Sequence, residues 1–382
     1  MIRTADVVVI GGGISGCATA FNLAKRGCKK VVLLEKGYLA SGSTGRCAAG
    51  IRQQWGTEMN CLLARDSIRI FENISEELGG HYDIELKQGG YLIFATTEKE
   101  VAQFKKNIEL QHRLGVPSRL ITPEEAREIV PHINTDLMIA ATFCQTDGHC
   151  NPFLATQAYA DAARKLGVEI CTYTEVKGIK VEKGKIAGVV TDKGEIATRV
   201  VLNAAGGFAG EIGKMAGVDL PFYPERHQAL VTEPVEPLQA PMVMSFSYNI
   251  YCQQTPHGSF IMGYGDPHEP KSTVLNSTWD FLQEMARKVT RILPKMKDIR
   301  VVRQWAGSYD MTPDRQPILG AIPEAEGFHV AIGFSGHGFM HGPMTGVLMA
   351  EHLLGMETSM RIDMLGVERF AKGELIFEPS VV

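Results

Sequence analysis

The chain has 382 residues, 45% hydrophobic and 21% charged, with a net charge of −4 at pH 7, which argues against nucleic acid or an anionic membrane as a partner. Its length indicates two domains around a large core, and no apolar run approaches the roughly twenty residues that span a bilayer, so we expect a cytoplasmic protein without a transmembrane segment. The eight cysteines form no C-x-x-C pair and no Cys/His metal spacing, so we expect free, mostly buried thiols and no metal.

The first thirty-six residues predict a strand, a glycine turn, a helix and a second strand. The glycines have the G-x-G-x-x-G spacing, which allows a tight turn, close approach of a pyrophosphate and close packing of helix on strand. Glu35, at the end of the second strand, is placed to accept hydrogen bonds from ribose hydroxyls. An ordinary glycine turn is the alternative, but the complete order of strand, glycine turn, helix, strand and acid favours a dinucleotide site. Its predicted residues are Gly11, Gly13, Ile14, Ser15, Gly16, Glu35 and Lys36.

A stretch of small residues flanked by arginines follows, from Gly37 to Arg52. Small residues let a backbone pass close to something flat and polar, and hydroxyl and guanidinium groups can contact phosphate oxygens. A surface loop is the alternative interpretation. The candidate cofactor contacts in this stretch are Ser43, Thr44, Arg46, Ala48, Ala49, Gly50 and Ile51.

These two motifs together resemble the FAD-binding start of the D-amino-acid oxidase superfamily. The resemblance implies FAD rather than NAD, with the second motif running along the pyrophosphate to the isoalloxazine ring. It also implies an α/β fold in which a Rossmann-type FAD-binding domain is joined to a substrate domain built on a mostly antiparallel sheet. Within the superfamily, the β subunits of heterotetrameric sarcosine oxidase and of archaeal dye-linked L-proline dehydrogenase are the most similar. The motifs that carry the resemblance lie at 11–16, 35–36, 41–52, 203–207, 314–320 and 333–340.

Hydrophobic periodicity predicts the remaining elements. Asn151 is expected to cap a helix that begins at Pro152. The region between 222 and 310 is rich in strands, which is typical of an antiparallel sheet covering a cofactor. Predicted helices cover 56–78, 97–112, 123–130, 152–166, 279–293 and a C-terminal segment to 354. Predicted strands cover 84–86, 91–95, 169–172, 175–182, 185–191, 195–196, 200–202, 228–232, 242–246, 250–254, 259–263, 300–309 and 328–332. We assign 1–80, 147–221 and 310–382 to the FAD-binding domain, and 81–146 and 222–309 to the substrate domain.

A second glycine-rich turn, from Gly333 to Met340, precedes the C-terminal helix. Its exposed backbone N–H groups would form a positive end, although a plain glycine turn is the alternative. The resemblance implies that this end lies at the flavin pyrimidine edge, where it stabilises the negative charge of the reduced ring. It also implies that Val176 lies near the adenine. The further cofactor contacts that we predict are Val176, Ala205, Gly206, Gly307, Gly333, Gly336, His337, Gly338, Phe339 and Met340.

The substrate carboxylate needs a cation or hydroxyl partners above the ring. Arg52 matches the arginine of sarcosine oxidases and is our first candidate, with Tyr251 and Tyr309 as hydroxyl candidates; the alternative is that Arg52 pairs with a carboxylate of the protein. Two departures from the family pattern matter. Met340 replaces a lysine of sarcosine oxidases, and Tyr309 replaces an arginine of glycine oxidases. A less cationic, more apolar pocket would suit a ring such as that of proline.

The resemblance implies oxidation of a secondary amino acid, L-proline first and sarcosine next, by hydride transfer from Cα to flavin N5. It further implies a catalytic subunit of a hetero-oligomeric dehydrogenase, with an FMN at a boundary with a different subunit. His149 is the nearest match to the histidine that holds this FMN, and a solvated turn residue is the alternative. Two other functions stay open, namely a self-sufficient oxidase producing hydrogen peroxide and a flavoprotein subunit mainly for assembly or electron relay.

Overall fold

The structure is a computed structural model that describes residues 4–379. The strands are β1 (Val7–Ile10), β2 (Val31–Leu34), β3 (Gly50–Ile51), β4 (Tyr91–Ala95), β5 (Arg119–Ile121), β6 (Ala140–Cys144), β7 (Gly148–His149), β8 (Glu169–Cys171), β9 (Val176–Glu182), β10 (Lys185–Thr191), β11 (Gly194–Ala197), β12 (Val201–Asn203), β13 (Tyr223–Thr232), β14 (Met242–Ser245), β15 (Ile250–Gln254), β16 (Phe260–Tyr264), β17 (Val301–Met311), β18 (Ile318–Ala321) and β19 (Phe328–Ile332). The helices are α1 (Ile14–Lys25), α2 (Glu58–Glu72), α3 (Ile74–Glu77), α4 (Glu98–Arg113), α5 (Pro123–Ile129), α6 (Pro152–Lys165), α7 (Ala209–Met215), α8 (Trp279–Ile292), α9 (Gly338–Leu353) and α10 (Glu368–Lys372).

The first sheet is the Rossmann-type sheet that the opening motif predicts. Within residues 4–379 its order is β18-β19-β12-β1-β2-β8, and every pair is parallel except β18 with β19. All residues of β1 and β2 are buried, as expected for parallel strands covered on both faces. Helix α1 connects β1 to β2 and packs against α9 through Gly342 and Gly346, where an added Cβ would meet Ile14 or Ala18. The α/β class and the nucleotide-binding topology are thus confirmed.

The second large sheet has the order β17-β13-β16-β15-β14-β4-β6-β5 among the described residues. Its strands are antiparallel except for β14 with β4, which confirms the mostly antiparallel sheet. Side chains of α5 and α8, including Phe281 and Met285, form a hydrophobic core with one face of this sheet. Side chains on the other side of this sheet line the cleft that is described below. The assigned domain boundaries stay a prediction.

Two smaller pairings complete the fold of the described part. Strands β9, β10 and β11 form an antiparallel meander, as predicted. The short pair of β3 and β7 aligns Gly50 with His149 and Ile51 with Gly148, so the small-residue stretch is joined to the Asp147-Gly148-His149 turn. All eight cysteines are free. Over residues 4–379, no helix is long and apolar enough to cross a membrane and no cluster of metal-ligating side chains occurs.

Several predicted elements differ from the structure. The predicted strand at 84–86 is wrong, because Glu85 has a φ of 55° and interrupts the extended conformation. The predicted helix over 56–78 is divided at Asn73 into α2 and α3. Strands β5, β6 and β18 were not predicted, although strands of similar length such as β4 were. The cap of α6 is confirmed, because the Asn151 side chain accepts hydrogen bonds from Phe153 N and Leu154 N.

Candidate functional site

The glycine turn, Gly11 to Gly16, has the geometry that its spacing predicts. Gly11 has a φ of 114°, and a Cβ there would overlap the Ala204 carbonyl oxygen, while a Cβ on Gly16 would overlap the Gly11 carbonyl oxygen. These two glycines are therefore required for backbone packing. At Gly13 an added Cβ would meet only the Thr44 side chain, at 3.0 Å, among the described residues. The surface beside Gly13 is left open to a ligand.

Among the long helices of residues 4–379, α1, α2 and α9 begin without a side-chain cap. Beside the start of α2, the Glu378 carboxylate accepts hydrogen bonds from Gly56 N and Thr57 N. Helix α1 starts after Gly13 and α9 starts after His337, and neither residue caps its helix by a side-chain hydrogen bond. By contrast, Thr97, Thr122 and Asn151 cap α4, α5 and α6. Free N–H groups at a helix start need partners and attract anions. The start of α1 would suit a pyrophosphate, and the start of α9 would suit a flavin ring that becomes negative on reduction.

The adenosine-side candidates lie around the glycine turn. The Glu35 carboxylate accepts hydrogen bonds from Gly12 N at 2.8 Å and Gly37 N at 2.7 Å, which fixes it beside the turn. The Glu35 carbonyl accepts from Thr174 N, two residues before the buried Val176. Ala204 N donates to the Ile10 carbonyl, so Ala205 and Gly206 follow directly beside the turn. The Lys36 Nζ lies 3.1 Å from the Phe208 ring centroid.

The small-residue stretch bridges the two large sheets. Ser43 Oγ donates to the Ser308 carbonyl at 2.6 Å, and Arg46 Nη1 donates to the Ala306 carbonyl at 3.0 Å. Arg46 Nε also donates to the Ser41 carbonyl, and Thr44 Oγ1 accepts from Ile14 N at 3.2 Å. The stretch is thus held against both β17 and the start of α1. Some of the hydroxyl and guanidinium groups proposed for phosphate contact already bind the backbone.

An open cleft, of about 880 Å³ when the open solvent at its mouth is included, lies between this stretch, the second sheet and the turn before α9. Of the predicted residues it brings together Ser43, Arg46, Ala48, Ala49, Gly50, Arg52, Tyr251, Gly307, Tyr309, Gly336, His337, Phe339 and Met340. It also contains residues that the sequence did not single out, namely Cys47, Tyr91, His227, Met242, Met244, Ser308 and Ser335. Ile51, one of the predicted residues outside its lining, is fully buried in the core. The others outside the lining are the glycine turn, Glu35, Lys36, Thr44, Val176, Ala205, Gly206, Gly333, Gly338 and His149.

The substrate wall, as we name Tyr91, His227, Met242, Met244, Tyr251 and Tyr309, is one face of the second sheet. Register explains it, because His227 pairs with Gly307, Met244 with Tyr251, and Met242 with Tyr91 across neighbouring strands. Side chains of directly paired residues point to the same face. No local motif marks Tyr91, His227, Met242 or Met244, so only the strand pairing could have revealed these four.

Each tyrosine of the substrate wall lies against a glycine. A Cβ added to Gly50 would overlap the Tyr91 hydroxyl. A Cβ added to Gly263 would lie 2.5 Å from the Tyr251 hydroxyl, and one added to Gly336 would lie 2.6 Å from the Tyr309 ring. The His227 ring stacks on Tyr309, with centroids 4.3 Å apart, and on Tyr251 at 5.9 Å. The rings therefore lie flat and leave the cleft open.

Burial keeps the titratable groups of the substrate wall neutral. It raises the pKa of Tyr91, Tyr251 and Tyr309 above the ordinary phenol value, and it lowers the pKa of His227 to about 4. Burial, with the charge of Arg52 and a neighbouring histidine, lowers the pKa of His337 well below its usual value. The described lining contains two arginines and no carboxylate, so it suits an anion.

Arg52 lies at the edge of the cleft with 2% of its surface exposed. Its guanidinium carbon is 3.8 Å from the Trp55 ring centroid, and Nη1 donates to the Gln54 carbonyl at 3.4 Å. The Trp55 ring also meets His337 edge-on, with centroids 4.4 Å apart. Arg52 is therefore held in one orientation beside the turn that precedes α9.

His149 is buried, so the alternative of a solvated turn residue is wrong. It lies in β7, paired with Gly50 on the strand that leads to Arg52. Burial lowers its pKa to about 4, and a hydrogen bond that the imidazole donates to the Gln254 backbone opposes that shift. A contact with a second flavin stays a prediction.

The glycine turn, the parallel sheet and the uncapped helix starts define a dinucleotide-binding flavoprotein fold. Comparison with known proteins agrees: residues 6–352 match the family described as FAD dependent oxidoreductase, and the chain belongs to that family. It is 42% identical to L-proline dehydrogenase from P. horikoshii, with a TM-score of 0.93 over 98% of this chain and 100% of that one. It is 30% identical to sarcosine oxidase subunit beta of Rhodobacter capsulatus, over 98% of this chain and 90% of the relative. A glycine oxidase from Geobacillus kaustophilus is 26% identical with a TM-score of 0.87, over 96% and 99%.

Proposed function

We propose that this FAD-dependent oxidoreductase oxidises a secondary amino acid, L-proline in preference to sarcosine. The observation that carries the proposal is the charge distribution of the cleft. The substrate wall consists of aromatic and methionine side chains without charge, including His227, whose pKa burial lowers, while Arg52 supplies a cation at one edge. The other arginine of the lining, Arg46, already donates to the Ser41 and Ala306 carbonyls. One cation for a carboxylate beside an apolar surface suits a small ring bearing a carboxylate and an amine.

The roles of the residues follow from their positions. Arg52 binds the carboxylate, Tyr251 and Tyr309 supply hydroxyl groups, and the substrate wall holds the ring against the cofactor and excludes water. When bound, FAD supplies the chemistry by accepting the hydride from the substrate Cα at N5. The uncapped start of α9, at His337, lowers the cost of negative charge on the reduced cofactor.

We further propose that the chain works in a cytoplasmic hetero-oligomer with an FMN at a subunit boundary near His149. Two relatives named sarcosine oxidase subunit beta, about 30% identical over 98% of this chain, support a partner subunit. Met340, in the position of a cation that sarcosine oxidases place beside the ring, supports an electron acceptor other than oxygen. The domain division at residues 81, 147, 222 and 310 belongs to the same proposal.

Anaerobic titration of the purified flavoprotein tests the activity. L-proline, sarcosine and glycine are added in turn and the flavin absorbance band is followed, and peroxide is then measured in air. We expect proline to bleach the flavin at the lowest concentration, sarcosine to follow, and peroxide to stay well below substrate consumption. Stoichiometric peroxide would instead support the self-sufficient oxidase. No bleaching by any amino acid would support an assembly or relay subunit.

A further inference from the structure

The carboxylate of Asp147 lies behind the segment that carries Arg52. It is completely buried, and it accepts hydrogen bonds from Gln53 N at 2.8 Å and from Gln54 Nε2 at 2.9 Å. The Gln54 carbonyl in turn accepts from Arg52 Nη1 at 3.4 Å. Gln54 therefore links the Asp147 carboxylate, through its side-chain amide, to the Arg52 guanidinium, through its backbone carbonyl.

A buried carboxylate is costly, so its presence here needs a reason. The pairing of β3 with β7 already joins the two segments through their backbones, at Gly50 with His149 and at Ile51 with Gly148. Burial raises the pKa of Asp147 to about 6, although Gln54, Gln53 and the charge of Arg52 act in the opposite direction. The carboxylate fixes the residues that follow β3, which the backbone ladder does not reach.

We propose that Asp147 is a positioning residue that holds Arg52 in the orientation needed to bind the substrate carboxylate. The inference rests on the proposed role of Arg52. Protonation would turn one acceptor oxygen of Asp147 into a donor facing another N–H group, so these hydrogen bonds would weaken. The titratable groups that face Asp147 in the described structure are Arg52 after β3, Tyr91 of β4, Cys61 of α2 and Cys144 of β6.

Binding of L-tetrahydro-2-furoate, followed by the flavin absorbance change, tests the proposal. This analogue has the ring and carboxylate of proline with oxygen in place of nitrogen, so no amine titrates. Burial raises the pKa of Tyr91, Cys61 and Cys144, so these three groups stay protonated between pH 5 and 8. Within this described cluster around Arg52, Asp147 is the group that we expect to titrate near pH 6. For the unaltered protein we expect Kd to rise as the pH falls through about 6.

Asp147→Asn should imitate the protonated state at every pH. At pH 8 we expect binding on the order of tenfold weaker than in the unaltered protein, because a displacement of about 1 Å in a positioning group can cost up to about a hundredfold. At pH 5 the two proteins should bind equally, with the same flavin content. Equal binding at pH 8 would overturn the proposal. If the variant does not fold, the unaltered protein decides, since a flat Kd between pH 5 and 8 would also overturn it.

Two further variants separate this inference from the proposed function. Arg52→Ala tests the anchor itself, because unchanged binding of the analogue in this variant would contradict the proposed role of Arg52. If Arg52→Ala binds the analogue more weakly but Asp147→Asn binds it as the unaltered protein does, only the positioning role of Asp147 is contradicted. Asp310→Asn is the matched control. Asp310 is also buried, burial also raises its pKa to about 6, and it accepts from Gly333 N at 2.7 Å instead. The pH dependence of analogue binding should persist in Asp310→Asn, and its loss there would contradict a specific role for Asp147.

Discussion

The glycine turn lies outside the lining of the cleft, whereas the substrate wall forms one face of it, and the chain builds the two regions in different ways. The glycine turn comes from six consecutive residues whose conformations follow from local rules about tight turns and helix starts. The substrate wall takes single side chains from strands between Tyr91 and Tyr309, placed together by long-range strand register. The residues that define the cofactor class are therefore close together in sequence, whereas the substrate wall depends on the pairing of strands across the whole second sheet.

The largest effect should follow from closing the open surface of the glycine turn. Gly13→Val would fill the space beside the start of α1, where the pyrophosphate is proposed to lie. We expect a folded but colourless protein, measured as flavin absorbance per chain and circular dichroism. Gly178→Ala is the control, because its Cβ would make only an ordinary contact, 3.8 Å from Val190. A yellow Gly13→Val protein with full flavin content would remove the assignment.

A second prediction concerns the cation next to the substrate wall. Arg52→Ala should retain FAD but weaken amino-acid binding, because losing one buried charge-assisted pair costs on the order of 2–5 kcal/mol. That corresponds to a rise of at least about 30-fold in KM or in the anaerobic Kd. Arg52→Lys should recover part of the loss, since it restores charge without the planar fork. An unchanged KM in Arg52→Ala would contradict the role.

Stability should respond to acid through a buried histidine of α9, the helix that packs against α1. His341 in α9 is fully buried with both ring nitrogens unpartnered, and burial lowers its pKa to about 3. Because the unfolded chain binds this proton near pH 6.5, folding loses about 1.4 kcal/mol per pH unit as the pH falls from 6.5 toward 3. His341→Leu should remove that loss. Urea unfolding at pH 7 and pH 5 measures the difference, and parallel curves for both proteins would refute it.

The smallest effect should come from within the substrate wall. His227→Ala removes the ring that stacks on Tyr309 and Tyr251, and each such contact is worth about 0.5–1.5 kcal/mol. We expect a rise in KM of roughly 5- to 10-fold with kcat and flavin content little changed. His227→Phe retains a stacking ring and should lie close to the unaltered protein. A fall in flavin content in His227→Ala would place the residue in cofactor binding instead.

Sequence reasoning located one of these regions far better than the other. The turn at Gly11, the acid Glu35 and the cap Asn151 each depend on residues near in sequence, and the structure confirms their local geometry. Tyr251 and Tyr309 were found through resemblance, but His227 was not, because a single histidine in a strand carries no local signal of its neighbours. Asp147 carries no local signal of its role, because its burial against Gln53 is visible only once β3 and β7 pair.

One of the glycines that lie against the tyrosines of the substrate wall could alter selectivity, although it makes no contact with the substrate itself. Gly263 allows the Tyr251 ring to lie back across its neighbouring strand, and a methyl group there would come within 2.5 Å of the hydroxyl. The ring would then swing into the cleft and shorten it. Replacing Gly263, which is outside the lining, could thus change which substrates the cleft accepts while every lining residue keeps its identity.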